Sequence, residues 1–191
     1  MSLLKIYPVS PSVYDDNAAV PVFANAAIIG DQLQAIGVRF ERWQASAALA
    51  SDASQEEILV AYQGPVETLK AEYGLVSADV ISLVPDHPDC QVLRQKFLDE
   101  HTHSDFEVRF FVAGQGLFYI HQGDHVYAIL CQSGDLISVP AGVKHWFDMG
   151  PRPSFTCIRL FSDPEGWVAE YTGSALADQF PRLDQFVPIT E

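Results

Sequence analysis

Between Glu107 and Phe161 the chain is cut into short apolar runs at close intervals, and this spacing restricts its possible folds more than any other feature. The runs are EVRFFVAG, GLFYIH, HVYAILC, DLISVP, KHWFDM and FTCIRLF, separated by GQG, QGD, QSG, PAG and GPRP. Evenly spaced short strands with glycine-rich joints predict an antiparallel sandwich or barrel. The first third reads as mixed. Residues 20–36 predict a helix capped by Asn25, and residues 37–45 a strand with Val38, Phe40 and Arg42 on one face. Two helical stretches follow over 54–73, the first opened by a Ser54/Glu57 capping box and the second set off by a break at Gly64-Pro65. A strand over 78–85 and a helical turn over 91–99 lead into the barrel. The tail beyond Trp167, with Pro181 and Pro188, is expected to wrap over one end of it.

A chain of 191 residues, 48 % of them hydrophobic, has enough apolar surface for one ordinary core and is not a disordered segment. Its net charge of −14 argues against nucleic acid and anionic membranes as partners. No apolar run is long enough to span a bilayer, and the first residues lack a basic flank followed by a long apolar stretch, so a cytoplasmic protein is expected, and a monomer. The cysteines Cys90, Cys131 and Cys157 are odd in number and widely spaced, which argues against a disulfide framework, and the lack of a Cys-x-x-Cys pair argues against a thiolate zinc site; Cys131 and Cys157 read as small buried residues.

The densest chemistry lies in HTHSDFEVR, residues 101–109. In an extended strand alternate side chains share a face, and His101, His103, Glu107 and Arg109 have one parity. A bend at Ser104-Asp105 would interrupt that alternation. Phe106, Val108 and Phe110 have the opposite parity and are expected to pack outward against another layer. Two imidazoles crowded on one face repel each other when protonated and lose hydration when buried; a divalent cation removes both problems, and a carboxylate nearby lowers the charge of the site. Isolated His87, His121 and His125 read as structural or surface residues.

A fourth donor follows from GDLISVPAGVKHWF, where a Pro140–Gly142 hairpin is expected to place His145 on the inner face. Three imidazoles and a carboxylate suit Fe, Ni, Mn, Co or Zn rather than Ca or Mg. A six-coordinate metal held by four side chains keeps two positions for a bidentate oxygen ligand. Arg109 shares the ligands' parity in a chain of only 11 basic residues. It either receives an anionic substrate through its planar fork, pairs with a buried carboxylate or snorkels to the rim.

These residues follow the cupin pattern. His101, His103, Glu107 and Gly114 match its first block, and Gly134, Pro140, Gly142 and His145 its second; Gln95 and Met149 depart from it at positions that bind no metal. Beyond the general pattern, HTHSDFEVRFFVAGQGLFYIH, PAGVKHWFDMG and CIRLFSDPEGWVAEYTG resemble the acireductone dioxygenase family of methionine salvage over about residues 85–172. The resemblance implies a mainly β fold with peripheral helices, a cupin-type antiparallel barrel, in a single domain over 1–191. Within it, residues 1–85 would pack on the barrel, residues 86–172 form the metal-binding core, and residues 173–191 extend it. It further implies one Fe(2+) or Ni(2+) per chain on His101, His103, Glu107 and His145, with Arg109 stabilising the substrate's negative charge and Phe97, Phe147 and Trp167 beside it. The implied reaction cleaves 1,2-dihydroxy-3-keto-5-methylthiopentene with O2. The Fe form gives 4-methylthio-2-oxobutanoate and formate; the Ni form gives 3-methylthiopropionate, formate and carbon monoxide. Two other readings are a cupin sugar-phosphate isomerase and a metal-binding cupin without catalysis.

Overall fold

The computed structural model describes residues 1–9, 20–163 and 168–186. Among the described residues eleven strands, all in antiparallel pairs, form two sheets that share one long strand. That strand, β6 (Glu107–Gln122), is the organising element. Its first half lies between β8 (Asp135–Val139) and β10 (Phe155–Phe161), its second half between β7 (His125–Gln132) and β9 (Lys144–Asp148). The first sheet is completed by β3 (Arg39–Arg42) beside β8 and β4 (Ser77–Leu83) beside β10. The second adds β1 (Leu3–Pro8) and β2 (Val22–Phe23) outside β7, and β5 (His101–Thr102) and β11 (Glu170–Tyr171) outside β9. The mainly β architecture with peripheral helices is as expected.

Two joints differ from the sequence reading. GQG does not separate two strands; it lies inside β6. There the pairing with β10 skips Val112, and Gly114 takes φ +76°, a conformation open to glycine. The bulge reverses parity, so Glu107, Arg109 and Phe111 face the interior before it and Phe118 and Ile120 after it. Likewise Pro140–Gly142 closes no hairpin. β8 and β9 do not pair with each other, and the turn carries the chain from one sheet to the other along the two halves of β6.

Helices cover the outer faces. Asn25 caps α1 (Ala26–Gln34) by accepting from the amides of Ala27 and Ile28, and Ser54 and Glu57 cap α2 (Gln55–Ala61) reciprocally. α3 (Gln63–Tyr73) restarts one residue before Gly64-Pro65, and Pro65 occupies its first turn, where no amide is needed. Val108 and Phe110 point outward, as expected, and the layer they meet is α2 and α3: Ile58, Tyr62, Val66 and Leu69 pack on them, and Trp43 stacks on Phe110 at 5.0 Å. Residues 91–99 form more than a turn, since α4 (Cys90–Leu98) is a helix of nine residues. The tail takes a different place from the one expected. Leu176, Ala177, Phe180, Leu183 and Phe186 cover the outer face of the second sheet, against Leu117, Tyr119, Leu130 and Trp146, rather than one end of the barrel. Leu183 and Phe186 belong to α5 (Leu183–Phe186), while Pro188 lies outside the described residues. All three cysteines are buried and free. No helix among the described residues is long and apolar enough to cross a membrane.

Candidate metal centre

His101 comes from β5, His103 from the loop after it, Glu107 from the first residue of β6 and His145 from β9. Register brings them together: His101 lies opposite His145, and His145 opposite Ile120 on β6. The chain between His103 and Glu107 is bent at Ser104-Asp105, so the four do not share a face through one continuous strand. The bend is held by Asp105, a buried carboxylate that accepts from the amides of Phe106 at 2.7 Å, Ser162 at 3.0 Å and Asp163 at 3.2 Å. The Pro140–Gly142 turn braces the same loop, the Gly142 amide donating to the His103 carbonyl at 2.9 Å. Asp105 had no sequence signal as a site residue beyond its place between two ligands.

The candidate donor atoms of His101, His103, Glu107 and His145 all lie within 4.8 Å of one another, and all four residues are buried. Each imidazole has its Nδ1 against a backbone carbonyl: His101 on Asp99 at 2.7 Å, His145 on Val143 at 2.8 Å and His103 on Val168 at 3.3 Å. A carbonyl only accepts, so Nδ1 carries the proton and Nε2 presents a lone pair. Two of these carbonyls lie two residues before their histidine; the third comes from 65 residues away and leaves no local trace. The Nε2 atom of His145 is 2.8 Å from Oε2 of Glu107, and that of His103 is 3.2 Å from the same oxygen. Atoms this close share either a proton or a metal cation.

Burial, and then the charge of His145, lower the pKa of His101 to about 4, so its ring is neutral near pH 7. Burial also works against the ionised Glu107, but Arg109 and the hydrogen bonds from His103 and His145 outweigh it and hold the carboxyl well below its usual range. For His103 burial favours the neutral ring, and the hydrogen bond and charge of Glu107 override it and raise the pKa. Once a metal displaces the proton that His103 shares with Glu107, neutral imidazole and ionised carboxylate fit a divalent transition metal. The four residues thus form a three-histidine, one-glutamate metal site.

Arg109 is buried and pairs through Nε with the other carboxylate oxygen of Glu107 at 2.6 Å. It therefore pairs with a buried carboxylate, the second of the sequence readings, and that carboxylate is one of the four clustered donors. Its guanidinium lies over the rings of Phe147 at 5.0 Å, Phe97 at 5.4 Å and Phe118 at 5.8 Å. Phe97 and Phe147 thus join one aromatic wall beside the metal site, together with Phe118, which the sequence reading did not single out. Trp167 lies outside the described residues. His121 is drawn away to Glu100 at 2.7 Å, His87 accepts from the Asp89 amide, and His125 is exposed, so none of the three joins the cluster.

The chain matches the model of the ARD/ARD' family over residues 5–169. The acireductone dioxygenase of Methylococcus capsulatus is 57 % identical over 187 residues, 98 % of each chain. That of Aquifex aeolicus is 53 % identical over 187 residues, 98 % of this chain and 99 % of the relative. Among solved structures, an acireductone dioxygenase from Bacillus anthracis with a cadmium ion in its active centre superposes with a TM-score of 0.75 at 30 % identity, covering 90 % of this chain and 98 % of the other. End-to-end likeness of this extent, on a chain that carries the four clustered donors, places it: the protein belongs to the ARD/ARD' family.

Proposed function

We propose that the protein is a metal-dependent acireductone dioxygenase, cleaving 1,2-dihydroxy-3-keto-5-methylthiopentene with O2. The observation that carries this reading is the Nε2–Oε2 cluster, with each histidine proton turned away onto a carbonyl. His101, His103, Glu107 and His145 hold the metal in this reading. When bound, one Fe(2+) or Ni(2+) per chain would supply Lewis acidity toward the oxygens of a chelating ene-diol. In the Fe form the products are 4-methylthio-2-oxobutanoate and formate; in the Ni form, 3-methylthiopropionate, formate and carbon monoxide.

The protein's own part is to bind, orient and keep dry. An ene-diol next to a carbonyl is acidic and reaches the site as an anion. Arg109, in a chain of net charge −14, supplies the local cation, and its pairing with Glu107 fixes where that charge stands. Phe97 and Phe147 exclude water and receive the apolar methylthioethyl tail; Trp167 is assigned to the same wall by the family resemblance alone. The chain is read as one cupin domain over 1–191, its barrel core within 86–172 and the segments 1–85 and 173–191 packed around it. A sugar-phosphate isomerase would need several inward cations for the phosphate, and Arg109 is the one buried Lys or Arg among the described residues. The test is O2 uptake by Fe(II)-loaded protein supplied with the ene-diol: one O2 consumed and one formate released per substrate. Uptake no faster than the uncatalysed reaction would remove the assignment.

A further inference from the structure

Beyond β10 the chain comes back to the metal site as a short segment, residues 168–172, and little buried surface holds it there. Within it β11 pairs with β5 alone among the described residues, Tyr171 lying opposite His101. Val168, Glu170, Tyr171 and Thr172 are all exposed. A segment that buries so little apolar surface depends on its polar bonds. Two side chains fasten its C-terminal end. The Tyr171 hydroxyl donates to the Lys96 carbonyl on α4 at 3.0 Å. Thr172 grips Glu100, the residue before the ligand His101: its amide donates to the Glu100 carbonyl at 3.0 Å and its hydroxyl to Oε1 at 2.8 Å. Glu100 is a fixed point, because its side chain is buried and its other oxygen stands 2.7 Å from Nδ1 of His121 on β6. At the N-terminal end of the segment, the Val168 carbonyl lies 3.3 Å from Nδ1 of His103.

The three imidazoles differ in how their outer nitrogens are held. His101 and His145 turn Nδ1 onto the carbonyls of Asp99 and Val143, two residues before them, so each acceptor travels with its ligand. His103 stands in a loop and takes its acceptor from the 168–172 segment, so that acceptor is only as well placed as the segment is. We infer that Thr172 is a positioning residue for the metal site: its hydroxyl, by fastening residues 168–172 to Glu100, holds the Val168 carbonyl against His103 and keeps the Nε2 lone pair of that ring aimed at the metal. The inference rests on the ligand set proposed above and is independent of the substrate. A partner on the outer nitrogen fixes both the tautomer and the ring orientation of a ligand, and its loss typically weakens metal binding by roughly 10- to 100-fold. Thr172 acts one step further out, through a segment that keeps its β5 pairing and its Tyr171 bond, so a smaller loss is expected.

The experiment compares the full parent chain with Thr172→Val, which keeps the shape of the side chain without its hydroxyl, and Thr172→Ser, which keeps the hydroxyl. Each carries isotope-labelled histidine and is loaded with Zn(II), a diamagnetic probe. Hydrogen exchange of the three ligand Nδ1 protons is followed by NMR, and the Zn(II) dissociation constant is measured by competition with a chelator. In Thr172→Val the His103 proton should exchange about 10-fold faster, the scale of one lost hydrogen bond to a carboxyl group, while those of His101 and His145 stay within about twofold of the parent. Zn(II) binding should weaken by roughly 3- to 10-fold, and Thr172→Ser should match the parent in both measurements. A merely structural loss would speed all three protons together. That result, unchanged His103 exchange, unchanged Zn(II) affinity, or a serine variant that behaves like the valine one would each overturn the inference. If Thr172→Val fails to fold, Tyr171→Phe decides the matter, since it removes the segment's other fastening hydroxyl at an exposed position: acceleration confined to His103 supports the inference, and none overturns it. A parent protein that took up no Zn(II) would strike the ligand set itself, and the inference with it.

Discussion

Replacing Arg109 with alanine separates two roles that the site gives to one side chain. The guanidinium is bonded to Oε1 of Glu107 at 2.6 Å, while Oε2 faces His103 and His145. From parity alone, losing a residue that is not a ligand should spare the metal; the observed pairing changes that expectation. Removing one partner of a buried ion pair costs about 3–5 kcal/mol, because the other charge is left without a counter-charge. A divalent cation beside the same carboxylate offsets part of this. We therefore expect metal binding to weaken by roughly 10- to 100-fold, or about 1.4–2.7 kcal/mol. Arg109 holds the Glu107 pKa down against burial, so its loss raises that pKa, and protons then compete with the metal. The ratio of variant to parent dissociation constants should accordingly grow as pH falls. At saturating metal, kcat/KM should fall by about 2–4 kcal/mol, roughly 30- to 900-fold, the scale of one lost preorganised donor. Arg109→Lys should recover only part, since an ammonium cannot bond Glu107 and substrate as a planar fork does. The assay is metal titration between pH 6 and 8 with steady-state kinetics at saturating metal. Unchanged metal affinity at every pH together with near-parental kcat/KM would refute both roles.

Three further outcomes are expected, the second of them from the family resemblance rather than from the geometry. His101→Ala, His103→Ala, Glu107→Ala and His145→Ala should each lose bound metal by elemental analysis, while His121→Ala and His125→Ala keep a full equivalent, since neither belongs to the cluster. Apoprotein reloaded with Ni(II) should release carbon monoxide and that reloaded with Fe(II) should not; identical products from both would leave only one chemistry. Asp148 is fully buried and accepts from Arg94 at 2.7 and 3.0 Å, Gly150 at 2.8 Å and Leu183 at 2.9 Å. Burial opposes its ionisation, but these donors prevail and lower its pKa, so its stabilisation is present above the unfolded value near 3.9 and is lost as pH falls through the folded one. Asp148→Asn should cost about 3–5 kcal/mol in urea unfolding at pH 7 and clearly less near pH 3; equal losses at both would show that its charge is not what matters.

The ligands were legible because metal chemistry restricts them to few residue types, and because the spacing of His101, His103 and Glu107 against His145 survives whatever the loops between them do. The geometry that joins them was less so. Equal parity correctly put Glu107 and Arg109 on one face, since both lie in the unbroken first half of β6. It grouped the two histidines with them for the wrong reason, because Asp105 pins a bend in between. Gly-Gln-Gly looks like a turn to any local rule; it lies inside a strand because the carbonyls of Phe111, Val112 and Gly114 find partners on Ser133 and Gly134. Proline and glycine at 140–142 mark a reversal but do not say whether the chain rejoins the same sheet. The tail's hydrophobic residues announced burial without naming the face, a choice made by the apolar outer side of Leu117, Tyr119 and Trp146.

Most of this hinges on how β6 is bent. A strand of constant parity carrying Glu107 and Arg109 inward would turn Gly116, Phe118 and Ile120 outward, and the aromatic wall would face away from the cation it flanks. The extra residue at Val112 reverses the alternation at the point where the strand passes from one sheet to the other. The reversal strands carbonyls, and the turn after β7 supplies them. The Gly134 amide donates to Phe111 at 2.8 Å, the Ser133 hydroxyl to Val112 at 2.8 Å and the Ser133 amide to Gly114 at 3.0 Å. Gly114 must itself be glycine for a second reason, since a Cβ there would run into the backbone of Ser154 and Phe155 on β10. So one strand delivers a ligand, its counter-cation and Phe118 of the aromatic wall to a single interior. The Gln132–Gly134 turn, which touches no donor atom of the metal site, is what keeps the two halves of that strand in phase.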